Sequence, residues 1–430
     1  MKCPLMSPSR WMLAGVLPLV FPAQALADAV TDWNATTNQV VGAAGGPPQQ
    51  FRIFAMVHIA IHDALNAIDP RYKTYAAVGA GNPNASPDAA VARAARDVLL
   101  ATVPVSQAAT INTAYTNFIA ALPACPPAQA ACIAQGEAIG AVAADAILDM
   151  RVLDGSQTPH VPYTLGPGPG VYQPTLPTPP APAPFPQFGG WGNVEPFALS
   201  SPWQFNPGRA AMLNIRSKAY AKEYNEVKTV GNAVVRNAAP DSEESRIARF
   251  WPGGGGNLNG VARVIVADYD LDLWENARLF ALMNMAINDG LVATFRVKYY
   301  YNFWRPYTAI HWANDGNAAT QPDPNWTSYI VTPPYPDYTC GLPNTVGSFA
   351  GVLREFFETD AVPFTFTASG LPPAVTRSYS SLSQAADESA DARVFGGIHF
   401  RSGCEAGVKL GGKVGRFVFK TQLRPERKHH

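Results

Sequence analysis

The stretch KYYYNFWRP, residues 298–306, sets Lys298 and Arg305 seven residues apart, two turns of a helix and therefore on one face. That face lies among Tyr299, Tyr300, Phe303 and Trp304, and Pro306 bends or ends the helix. Two cations in such company are costly to bury unless negative charge offsets them, from carboxylates elsewhere in the chain or from a bound anion. Further on, PPYPDYTCGLPNTVGSF (333–349) is a proline-rich turn leading into Cys340-Gly341-Leu342, with Pro343 suited to the first position of a new helix. A glycine-bearing turn at a helix N-terminus offers free backbone N–H groups to an anion, although an ordinary helix start reads the same way. The third stretch, ARVFGGIHFRSGCEAG (392–407), holds Arg393 and His399 six apart, with Gly396 and Gly397 between them allowing close helix packing. Alone, His399 reads as a core histidine.

Outward from these segments the periodicity is helical. Residues 47–68 read as a helix apolar on most sides and so buried. Residues 87–103, 106–122 and 127–152 are Ala-rich with short Pro-bearing breaks, the pattern of an antiparallel bundle. Eleven of the forty prolines fall between Pro159 and Pro186. Such a stretch is neither helix nor central strand, and Tyr163, Tyr172 and Phe185 suggest a crossing segment lying against the protein surface. Helical patterning resumes near 207 and continues through 218–228, 242–251, 260–300, 344–358, 382–397 and 403–416. The Gly253–Gly256 run has no GK[ST] after it, which removes a nucleotide-phosphate loop. No alternating strand pattern and no internal repeat is evident. His58 and His62, an i, i+4 pair followed by Asp63, have metal-binding geometry, but their apolar helix favours core histidines.

Composition narrows the class. Apolar residues reach 47% and charged residues only 15%, with 32 basic and 32 acidic side chains cancelling. A zero net charge argues against nucleic acid as partner. Lys2, Arg10, the apolar run 11–21 (WMLAGVLPLVF) and Ala25-Leu26-Ala27 read as a signal peptide cleaved near Ala27, too short to span a membrane. No later stretch reads as long and apolar enough either, so the mature protein is expected to be soluble, in the periplasm or secreted. Cleavage leaves Cys125, Cys132, Cys340 and Cys404, for which three pairings exist. Cys125 and Cys132 flank a tight Pro-containing turn, CPPAQAAC, and are expected to pair.

Taken in order, the three segments resemble the signature blocks of the vanadium-dependent haloperoxidases, within the type 2 phosphatidic acid phosphatase superfamily. That pattern is K-x6-R-P, then P-S-G-H, then S-R-x5-H-x3-D. Lys298, Arg305 and Pro306 complete the first block; Arg393 and His399 keep the spacing of the third, with Ala392 for its serine. VHIAIHDALNAIDPRY (57–72), YNEVK (224–228), ENARLFALMNMAINDG (275–290) and TPPYPDY (332–338) also look like bacterial members. The resemblance implies an all-α fold, a double helical bundle. A signal peptide (1–27) would precede an N-terminal bundle with the Pro-rich crossing segment (28–205) and a C-terminal bundle carrying the site (206–430).

It also implies an oxyanion site of Lys298, Arg305, Arg393 and the Gly341 amide. His399 would be the vanadium ligand when vanadate is the cofactor, or the nucleophile of a phosphatase. The second block departs: Thr339-Cys340-Gly341-Leu342 replaces P-S-G-H, so a leucine stands for the acid–base histidine and a cysteine for the serine donor. The final aspartate of the third block is Gly403. His311, just after the Arg305-Pro306 turn, is a candidate replacement acid–base group. In the family's fold Cys340 and Cys404 both border the anion, which implies a disulfide between them; left reduced, Cys340 would be a nucleophile instead. Three functions follow: an exported family enzyme with an altered oxyanion site and non-standard chemistry, with or without vanadate; a conventional haloperoxidase or phosphatase using His311; or a non-catalytic binding protein. The substrate class is a small anionic or organic molecule, and pairing into a homodimer is left open.

Overall fold

A computed structural model describes residues 28–175 and 186–426. The signal-peptide segment, Phe185 and the extreme C-terminus lie outside the described residues. Helices dominate: α1 (Ala29–Val40), α2 (Pro47–Ile68), α3 (Pro87–Thr102), α4 (Ala108–Ala121) and α5 (Cys132–Arg151) precede the Pro-rich segment. After it come α6 (Lys218–Val230), α7 (Ala233–Ala238), α8 (Glu243–Phe250), α9 (Leu258–Val266), α10 (Leu273–Tyr301), α11 (Pro306–His311) and α12 (Gly341–Phe356). A hairpin of β1 (Phe364–Ala368) and β2 (Val375–Tyr379) leads to α13 (Leu382–Phe395) and α14 (Arg401–Thr421).

The centre is α10, 29 residues long and so about 43 Å from end to end. Asp272 and Glu275 form a capping box at its start, and Asn302, in the left-handed region at φ 50°, stops it. Being apolar on nearly every side, it is enclosed from Asn276 to Val297, apart from Arg296. It packs on α2 of the first bundle and on α12 and α14 of the second, so one hydrophobic core runs through both halves. In its middle the buried Asp289 carboxylate accepts the backbone N–H groups of Phe197, Ala198 and Leu199, tying down the chain that enters the second half.

The described part of the Pro-rich segment, up to residue 175, lies along the end of this helix, as Tyr163 and Tyr172 suggested. Tyr172 is buried, its N–H donates to Asn302 O (2.9 Å), and Trp304 N–H donates to Gly170 O (3.2 Å). Tyr163 Oη donates to Asn302 Oδ1. The expected Cys125–Cys132 disulfide is formed.

Four expectations need correction. The hairpin was not anticipated, because FTFTA and VTRSY alternate over only five residues each. Lys298 and Arg305 do not share a helix face, because α10 ends at Tyr301, and α12 begins at Gly341, two residues before Pro343. Two stretches do reach the length and apolarity of a membrane span: α2, with mean hydropathy 1.3, and 127–151, with 1.4. The first is enclosed by other helices; the second presents one face to α3 through Gly136 and Gly140. His58 and His62 are core residues. His58 stacks between Phe54 and Phe280 and accepts from Asn34 Nδ2 (2.8 Å), and burial pushes its pKa down to about 3. His62 Nδ1 lies 2.9 Å from Asp63 Oδ1.

Helices α12 and α14 cross on glycines. A Cβ at Gly411 would come within 2.1 Å of Asn344 O, whereas one at Gly412 would meet nothing within 4 Å. Gly411→Ala should therefore cost about 1–3 kcal/mol or more. Gly412→Ala should gain up to about 1 kcal/mol from helix propensity. Urea denaturation of both variants reads the difference in sign.

Candidate functional site

The site forms where four chain segments end against one another. Lys298 is in the last turn of α10, and Arg305 is the residue before α11, displaced from the helix by the left-handed Asn302. The isolated bridge between Val171 and Phe303 fixes this connection. The 333–339 turn delivers Tyr335 and Asp337, then Cys340 as the cap of α12. Arg393 closes α13, and Gly397 (φ 77°) turns the chain so that His399 faces back; a Cβ there would come within 2.3 Å of Gly231 O.

Lys298 and Arg305 are fully buried and are held mainly by backbone carbonyls. Lys298 Nζ donates to Pro336 O (2.8 Å) and Asp337 O (2.9 Å). Arg305 Nε donates to Tyr335 O (2.7 Å), and its Nη1 to Ile398 O (2.8 Å) and to His399 Nε2 (2.7 Å). The Tyr335 ring lies under both cations, at 5.2 Å from Lys298 Nζ and 5.0 Å from Arg305 Cζ. With Nε2 accepting from Arg305, the imidazole proton belongs on Nδ1, which is 2.7 Å from Asp337 Oδ1 but off a regular hydrogen-bond direction.

The electrostatics leave positive charge uncompensated. Burial pushes the Asp337 carboxyl up to about 8, against the pull of Arg305 and Lys298, so it keeps its proton at neutral pH. Burial, with Arg305 adding to it, brings Lys298 down to about 7. Burial and the three cations hold His399 well below its usual value, so it is neutral. Arg305 Nη2 and Arg393 Nε are buried with no acceptor among the described residues, and Cys340 gives no side-chain cap to the first amides of α12. Unpaired donors beside buried cations make a setting able to receive an anion.

This pocket opens to a cavity of about 430 Å³. Arg393, His399, Gly341 and Leu342 line one end, and the rest is largely apolar and aromatic, including Phe54, Trp251 and Phe295.

Lys298, Arg305, Gly341, Arg393, His399 and Cys340 are thus brought together. His311 is not: it is half-buried outside the cavity, with Nδ1 against Tyr307 O (2.7 Å) and its ring on the Tyr307 ring. The short helix α11 turns it onto its own preceding turn, so the candidate acid–base role is not supported. The implied Cys340–Cys404 disulfide is also absent. Both are buried free thiols whose sulfurs lie within 4.8 Å of each other. That contact and the surrounding cations bring Cys340 down to about 7 against burial, while burial and the Cys340 neighbour push Cys404 up.

Asp337 and Tyr335 escaped the sequence reading, although an acid two residues before the altered second block was a usable signal. A Cβ at Gly403, where the third block's aspartate is missing, would lie 3.3 Å from Asp337 Oδ2. A carboxyl from a different segment therefore occupies the vacated space.

Comparison with known proteins agrees with this architecture. Residues 278–426 match a family model described as the VCPO second helical-bundle domain. The vanadium chloroperoxidase of Curvularia inaequalis is 26% identical over 401 residues, covering 75% of this chain and 63% of the relative, so this chain spans under two thirds of that protein. A crystal structure titled as the first bacterial vanadium-dependent iodoperoxidase superposes with a TM-score of 0.76 at 26% identity, covering 93% of this chain and 96% of that one. The holo-type bacterial vanadium-dependent chloroperoxidase, at 17% identity and TM-score 0.68 over 88% and 94% of the two chains, shares the fold.

The charge pattern fixes a pH dependence. Lys298 loses its proton near pH 7 and Asp337 near pH 8 in the free protein, and both changes remove positive charge. Sulfate, whose own charge is constant here, should bind progressively more weakly as pH rises from about 6 to about 9, by up to about tenfold per unit. Calorimetric titration across that range checks this; a flat profile would contradict it.

Proposed function

We propose that this chain, a relative of the vanadium-dependent haloperoxidases, is an exported enzyme acting on a small oxyanion, or an organic molecule bearing one, at an altered site. One observation carries the proposal: three buried cations converge beside a neutral histidine, and two of their N–H groups have no acceptor among the described residues. Lys298, Arg305, Arg393 and the Gly341 amide are the oxyanion donors. His399 presents Nε2, the lone-pair nitrogen, as ligand or nucleophile once Arg305 turns toward the anion. Donors of this number and charge fit a tetrahedral oxyanion such as vanadate. Vanadate bound there would supply the Lewis acid that activates peroxide toward halides.

The protein's own residues set how well such chemistry runs. Asp337 packs against His399 Nδ1 at 2.7 Å and holds the ring in place, the work an aspartate at position 403 would do. Leu342 lines the cavity beside His399 and moves no proton. Losing general acid–base help typically costs 10²–10⁴-fold, so conventional halide oxidation or phosphoester hydrolysis is expected to be slow, on the order of that fraction of a normal site. The apolar lining favours an organic acceptor over a bare ion. The Cys125–Cys132 disulfide supports export to the periplasm or beyond.

Calorimetry with orthovanadate tests the reading. Micromolar binding, lost in His399→Ala, is expected; a wild-type protein that takes neither vanadate nor phosphate would overturn it. Leu342→His should raise peroxide-dependent halide oxidation in the presence of vanadate, by about 10²-fold or more. Asp337→Ala should weaken vanadate binding by about 10–100-fold, and adding Gly403→Asp to that variant should recover most of the loss. Failure of the second substitution to rescue the first would show that Asp337 acts otherwise than through His399.

A further inference from the structure

Cys340 and Cys404 are the chemistry the oxyanion site does not use. Their sulfurs and a ring nitrogen of His399 lie within 4.8 Å of one another. The backbone holds them together, since Cys340 N–H donates to Gly403 O (2.9 Å) and Gly407 lets α14 pass close to Cys340 O. Cys340 precedes the first turn of a 16-residue helix, and Cys404 lies in the first turn of a 21-residue one. Lys298, Arg305 and Arg393 all act on the Cys340 sulfur electrostatically. Arg305 Nη2 and Arg393 Nε have no acceptor among the described residues.

We propose that Cys340 and Cys404 form a peroxide-reducing pair, Cys340 attacking a small hydroperoxide and Cys404 resolving the product. In the first step the Cys340 sulfur attacks one peroxide oxygen. An S–O bond forms, the O–O bond breaks, and the departing hydroxide takes up the thiol proton and leaves as water. Cys340 is then a sulfenic acid. In the second step the Cys404 sulfur attacks Cys340, an S–S bond replaces the S–O bond, and the second water carries away the Cys404 proton. One peroxide is reduced, two thiols are oxidised, and an external dithiol returns the pair to its starting state by exchange.

The arrangement suits this chemistry in three ways. Cationic surroundings favour the thiolate, the nucleophilic form. The positive charge of Arg305 and Arg393, which acts on that sulfur, also favours the negative charge that grows on the departing oxygen. Both sulfurs are enclosed, which keeps a sulfenic acid on Cys340 away from bulk water until Cys404 resolves it. The steps need no vanadate and no bound oxyanion, so they stand apart from the function proposed above.

The test uses the full chain, reduced, freed of reductant, and titrated with limiting hydrogen peroxide. One peroxide should remove two thiols, and peptide mapping should recover Cys340 joined to Cys404. The rate should exceed that of free cysteine at the same pH by about tenfold or more. In Cys404→Ser, unfolding in the presence of dimedone after the peroxide step should label Cys340; in Cys340→Ser, rapid peroxide consumption should disappear. Supplying dithiothreitol should make consumption catalytic in the wild type. Persistence of both thiols through excess peroxide in the folded wild type would overturn the proposal, and so would unchanged consumption by Cys340→Ser. Sulfate titration on the same preparations separates failure of the thiol pair from failure of the anion site.

Discussion

Burying three cations around one neutral histidine is the constraint on which this site depends. Ammonium and guanidinium groups taken out of water need acceptors, and Asp337, which keeps its proton, is a poor one. The carbonyls of Tyr335, Pro336, Asp337 and Ile398 supply most of the acceptors instead. A carbonyl in the middle of a helix is already committed, so those four must come from irregular backbone. The cluster can therefore form only where helix ends and turns converge, and this fold brings several of them together at the C-terminal end of α10.

Convergence of that kind needs each segment held by something outside the site. The Pro-rich segment runs beside residues 302–304 and pairs with the one residue, Asn302, whose left-handed backbone swings Arg305 off the helix line. Continued as helix, the 298–306 stretch would have kept Lys298 and Arg305 stacked two turns apart. In the folded chain both instead meet the 333–339 turn. The backbone of Gly170, Val171 and Tyr172 thus helps hold the connection that brings two cations near one point.

Helices and their packing were legible because long apolar patterns leave few alternatives: α2, α3, α5 and the second-half helices fall close to where periodicity put them. The short hairpin was not, since five residues of alternation in each strand carry too little pattern. Within the site, the family resemblance named Lys298, Arg305, Arg393 and His399, which the fold brings together, although the helical spacing read for Lys298 and Arg305 fails because α10 stops at Tyr301. Asp337 was hidden because its role is set by a through-space contact between segments far apart in the chain. His311 was misleading for the reverse reason, being near Arg305 in sequence and turned away from it in space.

The Cys340–His399–Cys404 cluster has the donor set of a soft divalent metal centre, so its charge environment decides what it takes. Two unit charges about 4 Å apart interact by about 4 kcal/mol at the effective dielectric of a protein site. A divalent ion here would face Lys298, Arg305 and Arg393 at once, with only the sulfurs to offset them. His399 Nε2 would also have to give up its Arg305 donor. The same cations assist an entering oxyanion and a thiolate leaving its proton behind. Cys340 therefore sits where the surrounding charge favours anions, and its sulfur, unlike a hydroxyl oxygen, is readily oxidised.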